Sequence, residues 1–360
     1  MADGLTVLIA DRAEDAARWS SAWAESPERE VFAHPAYVAL EAGRFQGTAM
    51  CALLRLEGAT VMYPFIVRDL SREAYFPAEN ECGYDIASPY GYGGPSVWGR
   101  AAGGDPAPEF WRQFDEWAVK RNIVAEFVRF PLFPETSLAY PGEKWVVSQH
   151  VVRSLEISDE RLWREVDHKV RKNVNRAKRD GVTIAADPAG RDLESFLEIY
   201  RHTMERRSAS RAYLYDRDFF ERLGREIPAG LCYFHAFLEG KIVSSELVLV
   251  SASSVYSFLG GTLPESFDHR PNDLLKFEII RWARESGKIR FVLGGGYQPG
   301  DGIYRYKLAL SPHGAIDYVQ GGRIFNPALY EALIERRKRI AHERNETWDA
   351  PSRFFPRYRA

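Results

Sequence analysis

Lys307 stands just beyond GGGYQPGDG, where residues 294–302 hold five glycines. Glycines let backbone come close to a bound molecule. A lysine beside such a loop could stabilise the negative charge that builds on a carbonyl oxygen under attack. Lys307 is therefore the candidate catalytic cation, with Gly295 and Gly296 as backbone contacts for the donor of that carbonyl. Upstream, FDHRPNDLL (267–275) opens a well-marked helix in which Leu274, Leu275, Glu278 and Trp282 recur at helical spacing and Gly287 follows as the stop. Arg270 could hold a phosphate there by charge. The segment has no glycine, however, and Pro271 removes an amide, so it makes a poor cradle for a pyrophosphate. The other loop of this kind, AAGGDPAPEF (101–110), carries Pro106 and Pro108. For a general base, Asp85, Glu126 and His269 stay open.

The elements that must position these residues belong to an ordinary globular chain. Its 360 residues are 45% apolar, 27% charged and 13% aromatic, with a net charge of −2. That is room for about two domains. Cys51, Cys82 and Cys232 form no CxxC, which argues against a disulfide framework and a thiolate zinc site. The eight histidines never pair at ligand spacing, so no metal is expected. There is no GxxxxGK[ST], GxSxG or HExxH. GYGGPS (91–96) faintly echoes a dinucleotide loop, but Pro95 stands where helix amides should form. The start reads as no secretion signal and no apolar run approaches the ~20 residues of a membrane span, so a cytoplasmic chain without membrane insertion is expected.

Two stretches rhyme. YGYGGPSV (90–97) leads to a helix and strand through EFWRQFDEWAVKRNIVAEFVRFP (109–131), and YSFLGGTL (256–263) leads to NDLLKFEIIRWARESGKIRFVLGG (272–295). Strand runs about turns frame both, at 49–69 and at 231–261. The expectation is an α+β chain of two tandem domains, each a mixed, mostly antiparallel sheet flanked by helices. The first spans 1–155 and is completed by 318–360; the second spans 156–317 and carries the donor site. One helix is expected from an N-cap at Ser158 to Gly181, with Leu162, Val166, Val170, Val174 and Ala177 as its apolar stripe, and another from Leu193 to Arg207. Residues 161–181 and 336–360 each hold eight Lys/Arg against three Asp/Glu, patches able to follow an RNA backbone or simply to solvate a helix face.

The run HKVRKNVNRAKRDGV (168–182), VYSFLGGT, RPNDLLKFEIIRWARESG and YRYKLAL (304–310), with SPYGYGGP (88–95) and FFPRYR (354–359), resembles the Fem-type peptidyltransferases, a bacterial family with a double GNAT fold. The resemblance spans nearly the whole chain and is strongest over 165–310. It implies an aminoacyltransferase that takes an amino acid from aminoacyl-tRNA and forms an amide on an amine, with aminoacyl-tRNA as co-substrate and no other cofactor. It further implies that Tyr306-Lys307 serves the donor, with Tyr in place of the more usual Phe, and that Tyr304 assists. Arg206, or Arg207, would help hold a phosphorylated acceptor, and Tyr90, Tyr92 and Tyr256 would line the acceptor side. No charged heptad insertion provides the coiled-coil arm of some members. The family's nucleotide-sugar lysine has no counterpart in FAHPAYVALEAGRF (32–45). That departure points from a peptidoglycan precursor towards another small amine or peptide, such as a secondary-metabolite intermediate. The alternatives are a GNAT N-acyltransferase using acyl-CoA or an acyl-carrier thioester, and a catalytically silent double-GNAT binding module. The transferred amino acid and the oligomeric state are left open.

Overall fold

The computed structural model describes residues 4–73, 75–76, 83–100, 102, 104–210, 213–348 and 354–360. Cys82 lies outside the described residues, while Cys51 and Cys232 are buried free thiols. The chain divides into two units, Met1–Val147 with Tyr318–Ala360, and Ser148–Asp317.

In unit 1, β1 (Thr6–Ile9), α1 (Ala13–Glu25) and α2 (Pro35–Arg44) precede the hairpin β2 (Thr48–Leu56) and β3 (Ala59–Asp69). Then come β4 (Tyr84–Ala87), β5 (Ser96–Gly99), α3 (Ala107–Lys120) and β6 (Ile123–Arg129). β4 and β6 are parallel, joined by the α3 crossover, while β1–β2, β2–β3, β3–β4 and β3–β5 pair antiparallel. A late segment of the chain, β13 (Ala315–Ile324), closes the sheet against β6, and α10 (Pro327–Glu343) follows it. Phe65, Phe110, Phe114 and Tyr63 fill the core between sheet and α3.

Unit 2 repeats the plan. β7 (Glu143–Ser154) leads into α4 (Asp159–Glu165), α5 (His168–Arg179), β8 (Thr183–Asp187), α6 (Leu193–Arg206) and α7 (Arg217–Glu226). The meander β9 (Leu231–Leu238), β10 (Lys241–Val250), β11 (Ser254–Thr262) follows, then α8 (Pro271–Glu285), β12 (Arg290–Gly294) and α9 (Gly302–Leu310). The sheet runs β8-β9-β10-β11-β12-β7, with β11 and β12 parallel about α8. Strand order and parallel crossover match those of unit 1, which is the duplication that the two rhyming stretches encode. Pairing of Val151–Ser154 with β12 places residues 148–155 with unit 2, although the sequence reading assigns them to the first domain.

The apolar stripe from Leu162 to Ala177 is buried as the spacing predicts, but one helix does not carry it. The chain breaks at Val166-Asp167, where the Asp167 carboxylate caps α5 by accepting from the Lys169 amide at 2.7 Å. α5 then packs Val170, Val174 and Ala177 into the same core as Leu274, Ile279 and Ile280 of α8. Each such buried side chain contributes about 1.5–3 kcal/mol.

Candidate active site

β11 and β12 pair only from Ser254↔Arg290 to Tyr256↔Val292. Within two residues both strands become irregular. β11 slips against β10 between Leu247 and Val248, leaving Phe258 unmatched. β12 slips against β7 between Val292 and Gly294, leaving Leu293 unmatched, and Gly294 turns through φ +80°. Bulges bend strands and re-aim side chains. Here two parallel strands part, and charged side chains gather where they do.

From α8, the buried Lys276 donates to the buried Glu246 carboxylate of β10, and to Ser257 Oγ of β11 at 2.8 Å. From α9, Lys307 Nζ donates to the Gly295 carbonyl at 2.7 Å. Burial of the Lys307 ammonium, helped by the charge of Lys276 and opposed by Glu246 and Asp301, lowers its pKa to about 8. The ring of His150 lies against Gly295, whose added Cβ would stand 2.7 Å from His150 Cδ2. Burial and the charge of Lys307 bring His150 down to about 3, so its imidazole is neutral at pH 7. The site thus combines a lysine poised between its charged and neutral forms, a neutral imidazole and a fixed buried ion pair.

The glycine-rich loop folds around Asp301. Asp301 caps α9 and its carboxylate accepts from the amides of Tyr297 (2.7 Å), Gln298 (3.1 Å) and Tyr304 (2.7 Å). A side chain on Gly296 would strike Asp301 Oδ1. Those three amides are spent on Asp301, and at the start of the loop the Gly295 carbonyl accepts from Lys307. Tyr306 lies on the hydrophobic core and its hydroxyl accepts from Asn272 Nδ2 at 2.8 Å, tying α9 to the first turn of α8. Tyr304 is held by its hydroxyl to Gln149 Oε1 at 3.1 Å.

The entrance to α8 carries its own charge. Arg270 sits there in the left-handed region at φ +56°, and Pro271 occupies the first helical position. Asp273, in the first turn, is buried, and burial raises its carboxyl above the usual range against the pull of Asn173, Arg270 and Lys169. A helix N-terminus attracts anions through its free amides. This one lacks an amide at Pro271 and already holds a carboxyl group, so it does not fit a nucleotide pyrophosphate.

Other expected residues are placed as follows. Arg206, in the last turn of α6, lays its guanidinium over the Phe267 ring at 5.1 Å, just before Arg270 in the chain. Tyr256 is buried at the last parallel pair of β11 and β12. Tyr90 and Tyr92 belong to unit 1, where the Tyr90 carbonyl accepts from Tyr37 and the Tyr92 ring meets Phe32 and Tyr318. Two candidate bases are locked in unit 1. Burial pushes the Asp85 carboxyl up, but Arg68 and Arg359 outweigh it and hold the group below its ordinary range. Glu126 accepts from Tyr63 and Arg323. Both carboxylates are fully buried. His269 instead bonds Asp180 at 3.0 Å. In the C-terminal basic segment, Arg337 is buried over Tyr75 and Arg359 is tied to Asp85, so part of that charge is structural.

Residues 164–308 match the family described as acetyltransferase (GNAT) domain. Among solved structures, FemX superimposes with a TM-score of 0.64 at 13% identity, over 88% of this chain and 98% of that one. The fold is a FemX-like double GNAT. The C-terminal domain of a protein assigned as a lysylphosphatidylglycerol synthetase in Agrobacterium fabrum gives 0.55 at 15% identity, over 91% of this chain and 96% of that one. No curated protein sequence matches the chain. The GNAT match covers the unit that holds Lys276 and Lys307, so the acyltransferase domain and the charged cluster coincide. Sequence reasoning missed Glu246, Ser257, His150 and Lys276. A signal for two of them existed: Glu246 interrupts IVSSELVLV, and Lys276 sits on the apolar side of LLKFEII.

Proposed function

We propose that the protein is an aminoacyltransferase that moves an amino acid from aminoacyl-tRNA to a small amine, forming an amide. The observation that carries the donor assignment is the start of α8, where Pro271 and the buried Asp273 replace a pyrophosphate cradle. Beside α8 lies α5, whose Lys169, Lys172 and Arg179 are exposed and make no ion pair with the described residues. Such a face suits a polyphosphate chain better than one diphosphate. The named lysylphosphatidylglycerol synthetase neighbour supports an aminoacyl donor on this fold.

In the proposed reaction the neutral acceptor amine attacks the ester carbonyl where β11 and β12 part. The Lys307 ammonium, released from the Gly295 carbonyl, stabilises the oxyanion of the tetrahedral intermediate. The carbon–nitrogen bond forms, the ester carbon–oxygen bond breaks, and the proton from nitrogen goes to the departing ribose hydroxyl. Tyr306, anchored through Asn272, positions the end of the donor. Arg206 and Tyr256 serve the acceptor. A second reading, acyl transfer from acyl-CoA or an acyl-carrier thioester, is favoured by the acetyltransferase description of the matching family.

Binding of charged tRNA, deacylated tRNA and acetyl-CoA at one low salt concentration separates the two, with Lys307→Ala alongside. Preference for charged tRNA, and amide formation abolished by RNase, is the expected result. Saturable acetyl-CoA binding with no preference for RNA overturns the donor assignment in favour of the second reading.

A further inference from the structure

On the opposite face of the unit 2 sheet from Lys276, a histidine and two carboxylates meet far from the parting strands. Asp187 ends β8, Asp192 immediately precedes α6, and His235 lies in β9. In sequence the two acids are five apart and the histidine is more than forty residues on, so no ligand spacing announces them. The register brings them together: Ala185 is directly opposite His235, which places Asp187, two residues on, at the diagonal position of the same face.

His235 is 1% exposed, and its ring is fixed by Ser245 Oγ, 2.9 Å from Nδ1. The other ring nitrogen, Nε2, is fully buried and lies beyond hydrogen-bond distance of every described residue. It points at Asp187 Oδ2 across 3.6 Å, too long for a hydrogen bond. A buried imidazole nitrogen held beyond hydrogen-bond distance of its acid costs free energy, and a shared proton would draw the two atoms to about 2.7–3.0 Å. A metal ion accounts for the gap. Tetrahedral zinc with bonds of about 2.0–2.2 Å to nitrogen and oxygen sets neighbouring ligand atoms roughly 3.4 Å apart. One ligand atom from each of Asp187, Asp192 and His235 lies within 4.8 Å of the others. The surrounding bonds are those that orient metal ligands: Ser245 on the far nitrogen of the histidine, and the Asp192 amide on Asp187 Oδ2 at 2.9 Å.

We propose that Asp187, Asp192 and His235 form a binding site for a divalent cation of the zinc class, which clamps the edge strand β8 and the start of α6 to β9. The donor set is one nitrogen and two carboxylates, which suits zinc and falls short of the six to eight oxygens of calcium. The role is structural, since these residues take no part in the transfer reaction.

The test is titration of the chelator-treated full chain with Zn2+ alone and with Ca2+ alone, by calorimetry and by thermal melting. One equivalent of zinc should bind and raise the melting temperature, with calcium at least tenfold weaker. His235→Gln should abolish that site. Asp192→Asn changes an exposed side chain and keeps the fold without metal, and should weaken zinc at least tenfold. Absence of stoichiometric zinc binding in the parent chain, or zinc binding that survives unchanged in both variants, overturns the site.

Discussion

Lys307 works against the stability of the protein that carries it. Its pKa falls from 10.5 to about 8, so the folded state holds the proton less tightly than the unfolded chain does. Below about pH 8 the charged lysine therefore opposes folding, and stability rises with pH between the folded and unfolded values. Lys307→Met should stabilise the protein by about 1–3 kcal/mol at pH 7, the scale of that shift, while lowering transfer by about 100-fold or more. Denaturant melts and single-turnover rates check the two halves together. A pH profile adds to this, because the proposed role needs Lys307 protonated and the acceptor amine neutral. The rate should climb towards the amine's pKa and fall above about pH 8 as Lys307 loses its proton. In the double variant Glu246→Gln/Lys276→Met the falling limb should move to higher pH, since Lys276 lowers the Lys307 pKa more than Glu246 raises it. Removing both partners also avoids stranding one buried charge. At this scale the sequence was half legible. Lys307 stood out beside its glycines, but Asp301 takes the Tyr297 and Gln298 amides, and a carboxylate folding back on its own loop leaves no trace in composition.

Gly261 shows how closely the elements of unit 2 approach. A Cβ there would run into Thr203 of α6 and come within 3.0 Å of the Ile199 carbonyl. α6 rests on β11 only because that position is bare. Gly261→Ala should destabilise the protein by about 1–3 kcal/mol through overpacking. Thr203→Ala in the same chain should restore part of the loss, because the Ile199 carbonyl stays in the way. Comparison of denaturation midpoints decides it. Gly-Gly after aromatic residues was visible as half of a repeat, and the helices and hairpins near it followed from apolar period and turn residues. The strand slips at Phe258 and Leu293 were not visible. A slip depends on what the neighbouring strand offers, and hydrophobic alternation in one strand carries no information about its partner's register. The break at Asp167 was hidden for a related reason: the apolar stripe continues through it, and an aspartate fits a solvated helix face as well as a cap.

Across the whole molecule, charge is used first for holding unit 1 together. Asp85 accepts from Arg68 at 2.9 and 3.0 Å, from Arg359 at 2.5 and 3.1 Å and from Tyr358 at 3.2 Å, which joins the first quarter of the chain to residues 358–359. Asp85→Asn should cost about 3–5 kcal/mol, as expected for breaking a buried ion cluster, with the rate per folded molecule unchanged. Because the Asp85 pKa is lowered, its contribution is present at neutral pH and lost only as pH drops below 3.8 towards the folded value. Urea midpoints at pH 7 for parent and variant measure the difference. β7 and β13 carry a consequence for the order of events during synthesis. The sheet of unit 2 has all its strands once residue 317 has been made, whereas unit 1, begun first, waits for β13 and the final arginine. A nascent chain therefore completes its second half before its first, reversing the usual order in which domains finish on the ribosome. Chains halted at residue 317 should resist protease within 148–317 and be cut within 1–147.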